Sequence, residues 1–280
     1  MQPQFDPNKV YEADYRVSGD GEVVRSDKRP SWLKSLFGPV GVALIFFATK
    51  LKWVLALFKF KFLTTGVTAL LSVGAYALLF PWQFAVGLVV LIFIHEIGHV
   101  IVLRRYGVAA TAPVFIPFMG AFIGMKQLPK NATMEAHVGL GGPVIGSLGA
   151  FAAYAVFLAT DYSLWLVLAY IGIILNLFNL LPIMPLDGGR IAGAISRWIW
   201  VIGYALAVLL MLVRPSPILL IVLIFGAGET WNALRGRGPK DYYTVPAGER
   251  LTIALIYFGL MAILGFTLFE LEPLMEANQP

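Results

Sequence analysis

The sequence contains no cysteine. Disulfides and thiolate metal sites are therefore excluded, and thiols give no sign of a redox compartment. Charge is scarce as well: 13% of the 280 residues are charged, against 59% hydrophobic. A soluble domain of this length cannot hide so much apolar surface. Histidine occurs three times, too few for a membrane diiron oxygenase. The first thirty residues, through "SGDGEVVRSDKRP", have no apolar run, so no cleavable secretory leader is expected. No gap between apolar segments offers the roughly 50 residues of a folded regulatory domain. No repeat of fixed period is visible.

What is present points to a bilayer. Several runs reach roughly 18 or more apolar residues. The net charge of +5 sits in residues flanking these runs, which argues for membrane orientation and against a nucleic-acid partner. The reading is an all-α polytopic membrane protein of about six transmembrane helices, with a membrane-re-entrant β-hairpin and an N-terminal interfacial helical segment. Residues 1–30 form a polar cytoplasmic tail. Residues 31–63, where Lys34, Lys50, Lys52, Lys59 and Lys61 interrupt aliphatic and aromatic residues, suit an amphipathic segment on the lipid surface. A membrane core follows at 64–192, further transmembrane helices at 193–270, and an acidic tail at 271–280. Apolar segments lie at about 64–80, 84–103, 135–159, 163–181, 193–213, 216–232 and 250–269.

Between the second and third segments the pattern changes. "AATAPVFIPFMGAFIGMKQLPKNAT" predicts strand–turn–strand around Phe118–Gly124. Non-helical backbone at membrane depth has to line a cavity or be covered by protein. In the third segment Gly139, Gly142, Gly146 and Gly149 share one face, where small residues let another helix approach. With the N-terminus cytoplasmic, Arg104, Arg105, Lys126, Lys130, Arg190, Arg235, Arg237 and Lys240 fall on the cytoplasmic side. Asp161, Arg214 and the acidic tail fall opposite.

The stretch "FIHEIGHV" sets ionisable groups inside an apolar segment. A charged residue at mid-helix costs roughly 2.5–3.5 kcal/mol on insertion scales. His95 and His99 are four apart, so on a helix both rings reach one ion, and Glu96 beside them suits a base toward a metal-bound water. Zinc at a catalytic centre takes three protein ligands and a water. His137, Glu135, Asp187 and Glu229 are the candidates for the third. Asp187, in a Pro/Gly-broken segment at about the depth of the histidines, is favoured, with Glu229 as its rival and His137 as a supporting donor. An ion-binding transporter using Asn176, Asn179 and Asp187, or a catalytically silent scaffold of the same fold, are the alternatives.

"HEIGH" in one segment, "GGPVIG" in a later one and "NLFNLLPIMPLDGGR" at the end of another together resemble the site-2 protease family of intramembrane zinc metalloproteases. The resemblance covers about residues 84–192. It implies zinc held by His95, His99 and Asp187, Glu96 as catalytic base, and Asn179 near the substrate. It also implies that the hairpin at 112–128 is the family's re-entrant hairpin, so that Phe122, Ile123 and Gly124 bind substrate. Many members carry Asn where Ser147 stands, and no catalytic role is assigned there. The implied substrates are transmembrane or membrane-associated proteins, and the implied surroundings are membrane lipid.

Overall fold

The computed structural model describes residues 15–17, 23–25, 61–213, 215–235 and 241–278. Within Met1–Phe60 these are β1, Tyr15–Val17, and β2, Val23–Arg25, paired antiparallel with Tyr15 opposite Arg25. This hairpin falls inside the stretch read as a polar tail. Residues 31–60 of the expected interfacial segment lie outside the described residues.

Lys61–Pro280 is a separate compact unit. Its elements are α1 (Lys61–Ala77), α2 (Trp82–Arg105), β3 (Val114–Ile116), β4 (Gly120–Phe122), α3 (Ala132–Thr160), α4 (Ser163–Asn179), α5 (Asp187–Ile195), α6 (Trp198–Val213), α7 (Pro217–Leu234) and α8 (Ala247–Ala277). Among the described residues three helices are long and apolar enough to cross a membrane: α2, α3 and α8, of 24, 29 and 31 residues. Four shorter apolar helices run Leu63–Ala77, Ser163–Asn179, Trp198–Val213 and Pro217–Asn232. Length alone therefore gives three crossings where about six were expected. Prolines at 81, 182 and 215 stand between the shorter segments and their neighbours. The stretch read as an acidic tail from 271 is the last part of α8, and Leu271 is buried there.

Local chemistry sets the ends of the helices that matter for the site. Pro81, which has no N–H to leave unpaired, caps α2. Arg104 and Arg105 occupy the last turn of α2, where cations suit the negative end of the helix dipole. Gly107 then takes a left-handed conformation (φ 70°), and Val108 N–H returns to Leu103 O. Asn131 caps α3, its side chain accepting from Met134 N–H at 2.9 Å.

Helix α3 is the hub and packs against α2, α4, α5 and α8. Its glycines do more than admit a neighbouring backbone. A Cβ on Gly139 would meet Asp187 O at 3.1 Å, one on Gly149 would meet the Ile94 side chain at 3.1 Å, and one on Gly141 would meet Gly98 O at 2.6 Å. Gly98 and Gly141 thus bring α2 and α3 into backbone contact.

The break between α4 and α5 presents Asp187 at the first turn of α5, with Leu186 at the cap. Gly188 and Gly189 are not part of the break. They lie inside α5, where the returning chain presses on them: a Cβ on Gly188 would strike Leu180 O, and one on Gly189 would lie 2.6 Å from Ile183 O. Later helices hold both this loop and the start of α5. Tyr257 of α8 donates to Leu180 O at 2.6 Å, and Trp200 of α6 donates to Gly189 O at 2.6 Å. Gly203 and Gly226 leave room for Pro182 and Met184 O respectively.

The hairpin forms near its expected place. Val114 pairs with Phe122 and Ile116 with Gly120, and an isolated bridge joins Ala110 and Met125. Its turn lies at 117–119, earlier than a centre at Phe118–Gly124 implies, with Gly120 at φ 95° and Phe118 at φ 63°. Hydroxyls of one α1 face line its first edge. Thr65 Oγ1 donates to Pro113 O (2.7 Å), Phe115 N–H donates to Thr68 Oγ1 (3.2 Å), and Phe118 N–H donates to Tyr76 Oη (3.2 Å). Phe115 is buried against Tyr76, Ala85, Leu88 and Val89.

Candidate metal centre

His95 and His99 project from α2 one turn apart, and Asp187 reaches them from the start of α5. His95 Nε2 lies 3.1 Å from Asp187 Oδ2, His99 Nε2 lies 3.2 Å from the same oxygen, and the two Nε2 atoms are 3.2 Å apart. His95, Glu96 and Asp187 are 8%, 7% and 8% exposed, and the His99 side chain is 12% exposed. Among the described residues this is the group of histidines and carboxylates close enough to hold a metal ion.

The triangle fits zinc. Ligands about 2.0–2.1 Å from a tetrahedral zinc stand about 3.3 Å from each other, close to the three separations found. The unused ring nitrogens are committed elsewhere, as metal-binding histidines require. His99 Nδ1 donates to Val138 O at 2.8 Å, and His95 Nδ1 lies 2.9 Å from Asn176 Oδ1. Both rings therefore turn Nε2 toward Asp187. Space beside the triangle comes from α3: a Cβ on Gly142 would strike His99 Nε2 and come within 2.6 Å of His95 Nε2.

The other candidates lie elsewhere. Glu135 accepts from the Tyr242 hydroxyl at 2.7 Å and is not in the triangle. Burial and this carboxylate raise the Tyr242 pKa well above the usual phenol value, so the hydroxyl stays a donor. His137 pairs with Tyr106 Oη at 2.5 Å and with Glu249 at 3.6 Å, away from the cluster. The Glu229 side chain lies outside the described residues. Asn179 ends α4 and donates to Leu175 O at 3.0 Å. On the hairpin, Phe122 is exposed, Gly124 exchanges hydrogen bonds with Thr111, and Ile123 packs with Leu103, Met134 and Val138. From sequence Asn176 enters only the alternative ion-binding reading with Asn179 and Asp187, and Gly142 is not expected beside the histidines. A lone amide in the apolar run "IILNLF" was the available signal for the first; the second stood out only as a packing glycine.

Two histidines and an adjacent glutamate on one apolar helix, completed by an aspartate from a broken one, give a helical protein an HExxH-type group able to hold a metal ion. Residues 83–162 and 159–210 match the profile described as Peptidase family M50, the site-2 protease family. "Zinc metalloprotease MJ0392" of Methanocaldococcus jannaschii is 31% identical over 144 residues, 50% of this chain and 41% of the relative. "Putative zinc metalloprotease Rip3" of Mycobacterium tuberculosis is 34% identical over 137 residues, 44% of this chain and 34% of the relative. The chain spans less than half the length of the curated relatives it matches.

Proposed function

We propose that the protein is an intramembrane zinc metalloprotease that hydrolyses peptide bonds of transmembrane or membrane-associated proteins. The observation that carries this reading is the buried His95–His99–Asp187 triangle with Glu96 beside it on an apolar helix. The family and the relatives' printed names support it.

When bound, zinc supplies a polarised scissile carbonyl and a water whose pKa falls to about 7. Glu96, next to His95 on the same helix, would be the residue that holds the water's proton and returns it to the leaving amine. A helical substrate has to expose its backbone before it is cut. The β3 outer edge is occupied by Thr65, Thr68 and Tyr76. Phe115 directs its N–H outward to Thr68, so its partner Ala121 turns its own backbone groups to the opposite edge. An extended peptide adds to β4 on that side, next to Phe122, Ile123 and Gly124, with Asn179 near the cut.

Arg104 and Arg105 in the last turn of α2 support an orientation with the site toward the cytoplasmic side of a cell membrane and the N-terminus cytoplasmic. Termini on opposite sides need an odd number of crossings, which the seven apolar helices among the described residues satisfy if all of them cross.

The test is reconstitution in proteoliposomes with a single-span protein. Wild type should cleave within the span, a chelator should stop it and zinc restore it, and Glu96→Gln should keep zinc while losing cleavage. Persistent cleavage by Glu96→Gln, or none by the zinc-loaded wild type, counts against the proposal.

A further inference from the structure

Helix α4 is apolar except near its C-terminus, yet Asn176 is only 3% exposed within it. A buried amide has to be hydrogen-bonded. Its Nδ2 donates to Gly172 O, one turn back, at 2.8 Å. That bond fixes which end of the amide faces His95. Flipping the group would set Oδ1 against Gly172 O, two acceptors face to face. Oδ1 therefore points at His95 Nδ1, 2.9 Å away. With an acceptor there, Nδ1 carries the ring proton and Nε2 keeps its lone pair, directed at Asp187 and His99.

The surroundings are shaped for this contact. A Cβ on Gly146 of α3 would collide with Asn176 Oδ1, so glycine leaves the amide its path. One turn away the same helices meet closely again, where a Cβ on Gly172 would lie 2.8 Å from Ala150 Cβ. The two histidines also differ. His99 is oriented by a backbone carbonyl, Val138 O, which no side-chain substitution removes. His95 depends on one side chain.

From this geometry we infer that Asn176 is a positioning residue: it fixes the tautomer and ring orientation that make His95 a metal ligand, with Gly146 as the residue that admits it. The inference rests on the zinc reading of the triangle and extends it to residues outside the HExxH and Leu-Asp-Gly motifs.

The test measures zinc affinity by chelator competition, the visible spectrum of the cobalt-substituted protein, and thermal unfolding of the metal-free protein. Asn176→Leu, close in shape and lacking the acceptor, should bind zinc roughly 10–100-fold more weakly, the range for lost outer partners of metal ligands. Its cobalt spectrum should change while the metal-free midpoint stays near wild type. Asn176→Asp, buried as the neutral acid with its O–H donating to Gly172 O, keeps an acceptor toward Nδ1 and should recover most of the affinity. If Asn176→Leu does not fold, Gly146→Ala keeps the amide but displaces it, and should show the same loss of affinity. Wild-type zinc affinity in Asn176→Leu, or equal weakness in Asn176→Asp and Asn176→Leu, overturns the inference. Failure of the protease reading looks different: a wild type that binds one zinc, weakened by Asn176→Leu, yet cleaves nothing.

Discussion

Gly142 of α3 sits against His95 of α2 so closely that an added Cβ would stand 2.6 Å from His95 Nε2. Carbon and nitrogen prefer about 3.5 Å or more. Gly142→Ala should therefore push both imidazoles off the triangle. In a helix interior the same change gains up to about 1 kcal/mol of propensity. The expected outcome is a zinc affinity at least tenfold lower, on the scale of displaced ligands, with little loss of thermal stability in the metal-free protein. Metal analysis and a melting curve check both halves. Full zinc in a folded Gly142→Ala protein speaks against the packing argument.

The loop that carries Asp187 is held by helices outside the motif-bearing core. Tyr257 and Leu180 are both buried, and the hydroxyl donates to the Leu180 carbonyl at 2.6 Å. Tyr257→Phe leaves that carbonyl unpaired, at a cost of about 1–3 kcal/mol. Unfolding in detergent should show this loss, and zinc should dissociate faster than from wild type. Unchanged stability and zinc release place the support of the loop elsewhere.

The hairpin should loosen when its hydroxyl partners go. Thr68→Val with Tyr76→Phe removes the acceptors of the Phe115 and Phe118 amides. Hydrogen exchange at these two amides should speed up by roughly 5- to 30-fold, equivalent to about 1–2 kcal/mol of local opening. Zinc affinity should not change, and KM for a peptide substrate should rise. Loss of zinc in this variant means that the hairpin and the metal site are not separable as described.

Much of the site was legible from local pattern. The i, i+4 spacing of His95 and His99 needs only a helix to bring the rings together, and "PVFIPFMGAF" carries the turn and strand residues of a hairpin. The partners of those residues were harder to see. Nothing local tells Asn176 from a stray amide, because its meaning comes from His95, 81 positions earlier. Gly188 and Gly189 read as helix breakers, yet they are helical and small because the 180–184 backbone folds onto them. Gly142 and Gly146 read as a packing stripe, whereas their missing Cβ atoms leave the space that ligands and amide occupy. The apolar segments expected at 163–181 and 193–213 form shorter helices, Ser163–Asn179 and Trp198–Val213, because Pro182 and the separate helix α5 interrupt the chain between them.

The central claim is that His95, His99 and Asp187 together hold one zinc ion. X-ray absorption at the zinc edge of the purified protein tests it most directly, with Asp187→Asn and Glu229→Gln measured alongside. The account predicts one zinc per chain, bound only by nitrogen and oxygen with the scattering of two imidazoles. It also predicts a metal content that collapses in Asp187→Asn and holds in Glu229→Gln. A zinc-free wild type, or zinc lost from Glu229→Gln and kept by Asp187→Asn, would contradict it.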